Sequence, residues 1–177
     1  MANNNQERMD KVVKALDQVN PETKQMIFNM AKSMKELEVI QSFNQQSLDF
    51  FNLSTAITRR MGRESEFKMA GYKALYDNTI KMNIKMPIDN FTLVVLEYAP
   101  QIYSENEDFF LNQITGDTKV EVGNEFSLIK SEMFKNLWKI LNKPDRADIK
   151  EKVILLTTFA HVYFYQTILK NKKKLIV

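Results

Sequence analysis

Apolar residues recur at intervals of three or four along most of this chain, and that spacing predicts amphipathic helices rather than strands. The first stripe runs from about Gln6 to Val19. Asn20 and Pro21 then predict a new helix start, because asparagine caps helices well and proline fits the first helical position. The next stripe is the most regular, and we expect it to extend as far as Phe43. Its apolar positions are Met26, Ile27, Met30, Ala31, Met34 and Leu37.

Two more helices are predicted between residues 46 and 86, separated by Gly62. The first runs from about Gln46 to Met61. The second ends before Pro87, because the residue that precedes a proline avoids the helical region. The apolar positions of this second helix are Phe67, Ala70, Ala74 and Leu75.

The segment Phe91–Ala99 fits two structures. Its β-branched run is typical of a buried strand, whereas helical neighbours and a following Pro100 favour a helix. We favour the helix, with Asp89 as its cap.

Residues 115–124 differ from the rest of the chain. Two of the four glycines lie here, around an alternating stretch that ends at Val122. The pattern predicts a loop or a short β-hairpin near 117–123. It also marks a boundary between two candidate layers, 11–114 and 124–169, of a single helical domain, 11–169. We expect residues 1–10 to be frayed and residues 170–177 to form a basic tail.

The C-terminal third predicts two helices separated by a polar break at 142–145. Val153–Tyr165 is apolar on nearly all sides, which predicts the central, buried helix of the fold. The expected core residues are Phe91, Val95, Phe110, Phe134, Leu137, Trp138, Val153, Leu156, Phe159, Ala160 and Tyr163.

Composition supports an all-α fold, an irregular multi-helix bundle. The chain has only 4 glycines and 4 prolines, too few for the many tight turns of a β fold. It has no cysteine, which excludes disulfides, iron–sulfur clusters and thiolate zinc sites. The N-terminus is polar and no window approaches about 18 consecutive apolar residues, so we expect a cytoplasmic protein without a membrane span.

Catalytic chemistry has few candidate residues. The one histidine, His161, could serve as a proton shuttle or a metal ligand, but no Asp or Glu lies three or four residues away. A core or interface histidine bonded to a backbone group is the favoured interpretation. The chain also lacks a Gly-x-Ser-x-Gly elbow and the glycine-rich loops that bind phosphates. We therefore expect no catalytic residue, no metal, no cofactor and no enzymatic activity.

Three methionines at helical spacing form a candidate partner-binding stripe: Met26, Met30 and Met34. Methionine adapts to irregular surfaces and is common on promiscuous binding faces. Core packing explains the same spacing. If the first two helices form a hairpin that projects from the body, the stripe becomes an interface.

Two basic groups are candidates for binding anions or nucleic acid. The first, in residues 59–73, contains Arg59, Arg60 and Arg63, although Glu64 and Glu66 weaken its field. The second contains Lys172, Lys173 and Lys174. The net charge is only +3. Residues 90–132 are acidic and residues 133–177 are basic, which fits either internal neutralisation or a charged partner.

Two segments have a distinctive order of features. Residues 91–110 combine an apolar helix, a break at Pro100 and an acidic end. Residues 130–165 pass from a lysine-rich start through an aromatic motif and a polar break to an apolar helix. The motif consists of Phe134, Leu137, Trp138, Lys139 and Leu141. Together, over residues 90–165, they resemble small uncharacterised proteins of large nucleocytoplasmic DNA viruses, the giant viruses.

That resemblance implies a viral accessory or virion-associated protein made in the infected cytoplasm, and it supplies no catalytic residues. The predicted function is accordingly a helical protein-interaction or structural protein that binds another protein or itself through apolar helix faces. The alternative is a nucleic-acid-binding protein that uses the 59–73 cluster and the C-terminal lysines.

Overall fold

The computed structural model describes the backbone of residues 2–109 and 131–176, and the side chains of residues 6–109, 134–167 and Lys170. Its helices are α1 (Ala2–Asp17), α2 (Pro21–Ser33), α3 (Glu36–Arg60), α4 (Glu64–Phe67), α5 (Met69–Met82), α6 (Met86–Val94), α7 (Ala99–Tyr103), α8 (Ser131–Ile140) and α9 (Lys143–Ile176). One turn of 3-10 helix, Leu96–Tyr98, joins α6 to α7. These ranges contain no strand, which confirms the all-α prediction.

Helices α3 and α9 form the centre of the fold and run antiparallel. Arg60 at the end of α3 binds Asp145 at the start of α9. At the other end of the pair, Lys170 binds Glu36. The stretch Val153–Tyr165 of α9 is mostly buried against the surrounding helices, as its apolar character predicted.

Two hydrophobic cores lie along this pair. The first joins the start of α3 and the later part of α9 to α1, α2 and α6. The second joins the rest of α3 and the earlier part of α9 to α5, α7 and α8. Both cores therefore contain residues from each side of the 115–124 segment. Of the expected core residues that are described, Val95 and Phe159 are only partly buried and the others are buried.

Asparagine caps begin two helices where the sequence predicted breaks. The side chain of Asn20 accepts the backbone N–H of Glu22 at 2.8 Å. The side chain of Asn142 accepts the backbone N–H of Asp145 at 2.9 Å. Each satisfies a helix N–H that has no partner within its own helix.

The predicted extension of α2 as far as Phe43 is wrong. Helix α2 ends at Ser33, since Met34 is extended with φ −94° and ψ 144°. The side-chain amide of Gln166 donates to the carbonyls of Ala31 at 3.3 Å and of Met34 at 2.8 Å. Helix α9 thus satisfies carbonyls at the end of α2.

The segment Phe91–Ala99 is helical, in α6 and the 3-10 turn. Two boundary predictions there are wrong. Helix α5 already ends at Met82, and Pro87 lies in the first turn of α6. Asp89 does not start a helix; its carboxylate accepts a hydrogen bond from the Tyr163 hydroxyl at 2.7 Å and so links α6 to α9.

Several predictions fall on residues outside those described: the hairpin near 117–123, the core residue Phe110 and the side chains of Lys172, Lys173 and Lys174. Helix α1 begins at Ala2, within the segment expected to be frayed. Helix α9 continues to Ile176 through the predicted tail.

Candidate interaction surfaces

The methionine stripe of α2 lies partly against the core. Met30 and Met34 pack on the first core, while Met26 keeps 48% of its surface exposed. Helices α1 and α2 do not project from the body, because α1 packs on the segment around α6 and α7, and α2 packs along α9. The stripe therefore does not lie on a projecting hairpin, which was the condition for it to become an interface.

The three arginines of the basic cluster each pair with a carboxylate. Arg59 makes two hydrogen bonds to Glu64, at 2.8 and 3.1 Å. Arg63 makes two to Glu66, at 2.7 and 2.8 Å. Arg60 binds the buried carboxylate of Asp145 in the first turn of α9. In the structure, each arginine of the cluster is therefore paired with an acidic side chain.

These pairs also shift the ionisation of their members. Hydrogen bonds with Glu64 raise the pKa of Arg59, and the same pairing lowers the pKa of Glu64. Arg63 and Glu66 shift in the same way: the pKa of the arginine is raised and that of the acid is lowered. All four groups are therefore charged at neutral pH, and each arginine charge is balanced locally.

Part of the charge asymmetry between the acidic and basic segments is neutralised within the fold. Lys150 of α9 lies 2.6 Å from a carboxylate oxygen of Glu107 and 3.9 Å from one of Glu105. Glu36 binds both Lys85 and Lys170. Burial acts to raise the pKa of Glu36, but the two lysines outweigh it and the pKa lies below its usual value.

His161 has no exposed surface. Its Nδ1 lies 3.1 Å from the Tyr103 hydroxyl, and its ring centroid lies 4.7 Å from that of Tyr165. Burial, with a contribution from the charge of Lys24, lowers the pKa of His161 to about 4. The ring is neutral at pH 7, and Nδ1 shares a hydrogen bond with the tyrosine hydroxyl. The partner is a side chain, so the predicted backbone bond is wrong.

The outward side of α5 exposes two large apolar side chains. Leu75 is 62% exposed and Met82 is 85% exposed, more than any other large apolar side chain in the described residues. Gly71 lies on the same side, and a Cβ placed there would meet no atom within 4 Å. The name α5 face is used below for the exposed residues Gly71, Ala74, Leu75, Asn78 and Met82.

Sequence reasoning assigned α5 the wrong apolar positions. Ala70, Ala74 and Leu75 are exposed, whereas Met69 and Tyr76 are fully buried. Helix α5 has apolar residues on two sides, and the side with the larger aromatic groups is buried because it removes more apolar area from water. A second apolar stripe on one helix was the signal that could have revealed the α5 face.

The described residues contain neither a membrane-spanning helix nor a metal-binding cluster. No helix among residues 2–109 and 131–176 combines the length and apolarity needed to cross a membrane. Within the same ranges, no three His, Asp or Glu side chains are grouped so that they could hold a metal ion.

Comparison with known proteins gives a viral relative. A protein of Acanthamoeba polyphaga mimivirus named "Uncharacterized protein R465" is 48% identical over 170 residues, which cover 96% of this chain and 94% of the relative. No family model and no solved structure matches the chain. The resemblance to giant-virus proteins predicted from residues 90–165 is confirmed, and it extends over nearly the whole chain.

Proposed function

This chain belongs to the family of the mimivirus protein, and we propose that it is a non-catalytic interaction or structural protein that acts through an apolar helix face. The α5 face is the observation that carries the proposal. Isolated exposed apolar residues are ordinary on protein surfaces, but Leu75 and Met82 are two large apolar side chains exposed on the same side of one helix, where a single partner can cover both. Burying one leucine or methionine in a partner contributes roughly 1.5–3 kcal/mol.

The α5 face has stronger support than the methionine stripe of α2. Met30 and Met34 already contact the core, so a partner would gain little further apolar area from them. Leu75 and Met82 lie two turns apart and extend from a helix whose other side is packed on α3. A partner that covers α5 would bury both together.

The non-catalytic part of the proposal is supported by the position of His161. A general base must reach the proton that it removes, and this ring is enclosed between α7 and α9 without exposed surface. Its low pKa keeps it neutral, yet a bound molecule in this conformation could not touch it.

Nucleic-acid binding remains the second candidate, with less support. Arginines bind phosphates by donating their forked N–H groups, and the cluster at 59–63 already donates to carboxylates. A phosphate backbone would have to displace those acids. The alternative also rests on Lys172, Lys173 and Lys174, and treatment with nuclease tests it.

The proposal includes an accessory or virion-associated role in the cytoplasm of an infected cell, with another protein or a second copy as partner. Affinity capture of the tagged chain from infected cells, with and without nuclease, tests it. We compare the wild type with a Leu75→Glu, Met82→Glu variant. A matched control places the same charges at other exposed apolar positions, Val13→Glu and Leu37→Glu.

We expect wild type and control to capture the same defined proteins after nuclease treatment, and the α5 variant to lose them. Capture that disappears with nuclease in all three proteins would instead support the basic groups. Capture that survives in the α5 variant as well as in the wild type would contradict the assignment to α5.

A further inference from the structure

His161 lies at a junction of α2, α7 and α9, where it has no exposed surface. The ring of Tyr165 lies 4.7 Å from the histidine ring, measured between centroids. Phe28 of α2 packs edge-on against the same tyrosine, with centroids 6.3 Å apart. From α7, the Tyr103 hydroxyl lies 3.1 Å from Nδ1 of the histidine. Helix α2 therefore helps to enclose the buried ring.

The junction disfavours a positive charge on the histidine. The charged and titratable groups around the ring are Lys24 of α2, Asp17 of α1, Tyr103 and Tyr165. The charge that acts on His161 is that of Lys24, and it opposes protonation. This ammonium donates to the carbonyl of Asp17 at 2.6 Å, which holds it at the end of α1.

The second ring nitrogen gives independent evidence. Nε2 of His161 is buried and has no hydrogen-bond partner. A protonated ring would therefore be a buried cation with one hydrogen bond, to Tyr103, and with a lysine charge acting against it. Burying a charge with so little compensation costs free energy, so protonation favours any conformation that admits water to the ring.

Helices α1 and α2, named here the N-terminal cover, form an outer layer on this junction. They rest on α9 and on the segment from α6 to α7. None of the salt bridges between described residues involves either helix. Gln166 of α9 holds the end of α2 through its two hydrogen bonds, and residues such as Val12 and Ile27 pack in the first core. Such a layer can open while the α3–α9 centre stays folded.

From the unpaired Nε2 and this anchoring we propose that the N-terminal cover is an acid-sensitive device, which opens on protonation of His161 while the α3–α9 centre stays folded. The inference goes beyond the proposed function and does not depend on the α5 face.

The direction of the pH effect follows from the two forms of the cover. Under the closed cover the pKa of His161 is about 4, and in water it returns towards the ordinary value of 6.5. The lower value belongs to the closed form, so closure is favoured above pH 6.5 and is opposed increasingly as the pH falls from 6.5 towards 4. The open fraction should be about 30-fold larger at about pH 5 than at about pH 7.5.

Introduced cysteines can report the opening, because the chain has none of its own. Val12→Cys places a thiol in α1 and Ala31→Cys places one in α2, both at buried positions. The control is Ser54→Cys on α3, where a fully buried hydroxyl without a hydrogen-bond partner is replaced by a thiol of similar shape. Labelling with dithiodipyridine is measured at both pH values, and each rate is divided by that of free cysteine at the same pH.

We expect the corrected labelling rates at positions 12 and 31 to rise about 30-fold between about pH 7.5 and about pH 5. In acid both should clearly exceed the rate at position 54. The one tryptophan, Trp138, lies in the second core, and its fluorescence should not change, since the centre stays folded. Rates that are equal at all three positions would mean that the cover opens only when the whole chain unfolds, and would overturn the proposal.

Two further variants, made in the Ala31→Cys protein, test the histidine. His161→Gln keeps a polar side chain that takes up no proton, so labelling should no longer rise in acid. Lys24→Gln changes a partly exposed side chain and removes the opposing charge, so the rise should become smaller. A full rise in His161→Gln, a rise that Lys24→Gln leaves unchanged, or no rise in the parent protein would each contradict the acid-sensitive cover.

Discussion

The side-chain amide of Asn44 on α3 accepts a hydrogen bond from the Tyr76 hydroxyl on α5, at 3.1 Å. The same amide donates to the carbonyl of Ile84 just beyond α5, at 3.0 Å. Both side chains are buried. This link fixes the rotation of α5, because it holds Tyr76 inward and therefore turns Leu75 towards solvent.

Asn44→Ala should destabilise the fold by about 2 kcal/mol, because it removes the buried bond from Tyr76 and leaves the partly buried Ile84 carbonyl without this donor. Tyr76→Phe removes the bond to Asn44 and should cost about 1 kcal/mol. Urea denaturation followed by circular dichroism measures both. Equal stability of Asn44→Ala and wild type would show that the amide does not hold α5 in place.

The three arginines of the cluster should contribute unequally to the stability of the fold. Arg60→Ala leaves the carboxylate of Asp145, which is only 8% exposed, without its cation, and we expect a loss of about 1–2 kcal/mol. Arg59→Ala and Arg63→Ala break solvent-exposed pairs, so both variants should stay close to wild type in stability. Urea denaturation measures the free energy of unfolding of the three variants. An equal loss in all three would contradict the special role of the pair between Arg60 and Asp145.

His161 should make the fold sensitive to acid. Its folded pKa of about 4 lies below the ordinary value of 6.5, so the neutral ring contributes stability above pH 6.5. That contribution is lost as the pH falls from 6.5 towards 4, because only the unfolded chain takes up the proton readily. Between about pH 7.5 and about pH 5, the wild type should lose about 2 kcal/mol more than His161→Gln.

Denaturation midpoints of the two proteins across this pH range give the comparison. The variant removes the titrating ring, while carboxylates such as Glu36 titrate in both proteins and cancel in the difference. Parallel loss of stability in wild type and His161→Gln would mean that burial of the ring does not oppose its protonation.

Local signals in the sequence correctly predicted much of the fold. Asn20 begins a helix by accepting a hydrogen bond from Glu22, two residues away. A short stretch of sequence is therefore enough to predict this helix start. The buried part of α9 was also predictable, since apolar residues all round a helix require burial on all sides. Glu64 and Glu66 were recognisable as neighbours that weaken the arginine field.

Features that depend on distant residues were not predictable. The break between α2 and α3 is capped by Gln166, far along the chain. Asp145 pairs with an arginine in another part of the sequence. The side of α5 that faces solvent depends on the buried link to Asn44, and apolar spacing alone fits either side equally well.

The central claim is that the α5 face contacts another protein, and site-directed photo-crosslinking in infected cells tests it most directly. A benzophenone side chain replaces Leu75 in one protein and Leu37 in a control, since both positions are exposed on helices. We predict a discrete cross-linked protein, either a second copy or another chain, from position 75 and none from position 37. Equal labelling from both positions, or labelling from position 37 alone, would contradict the claim.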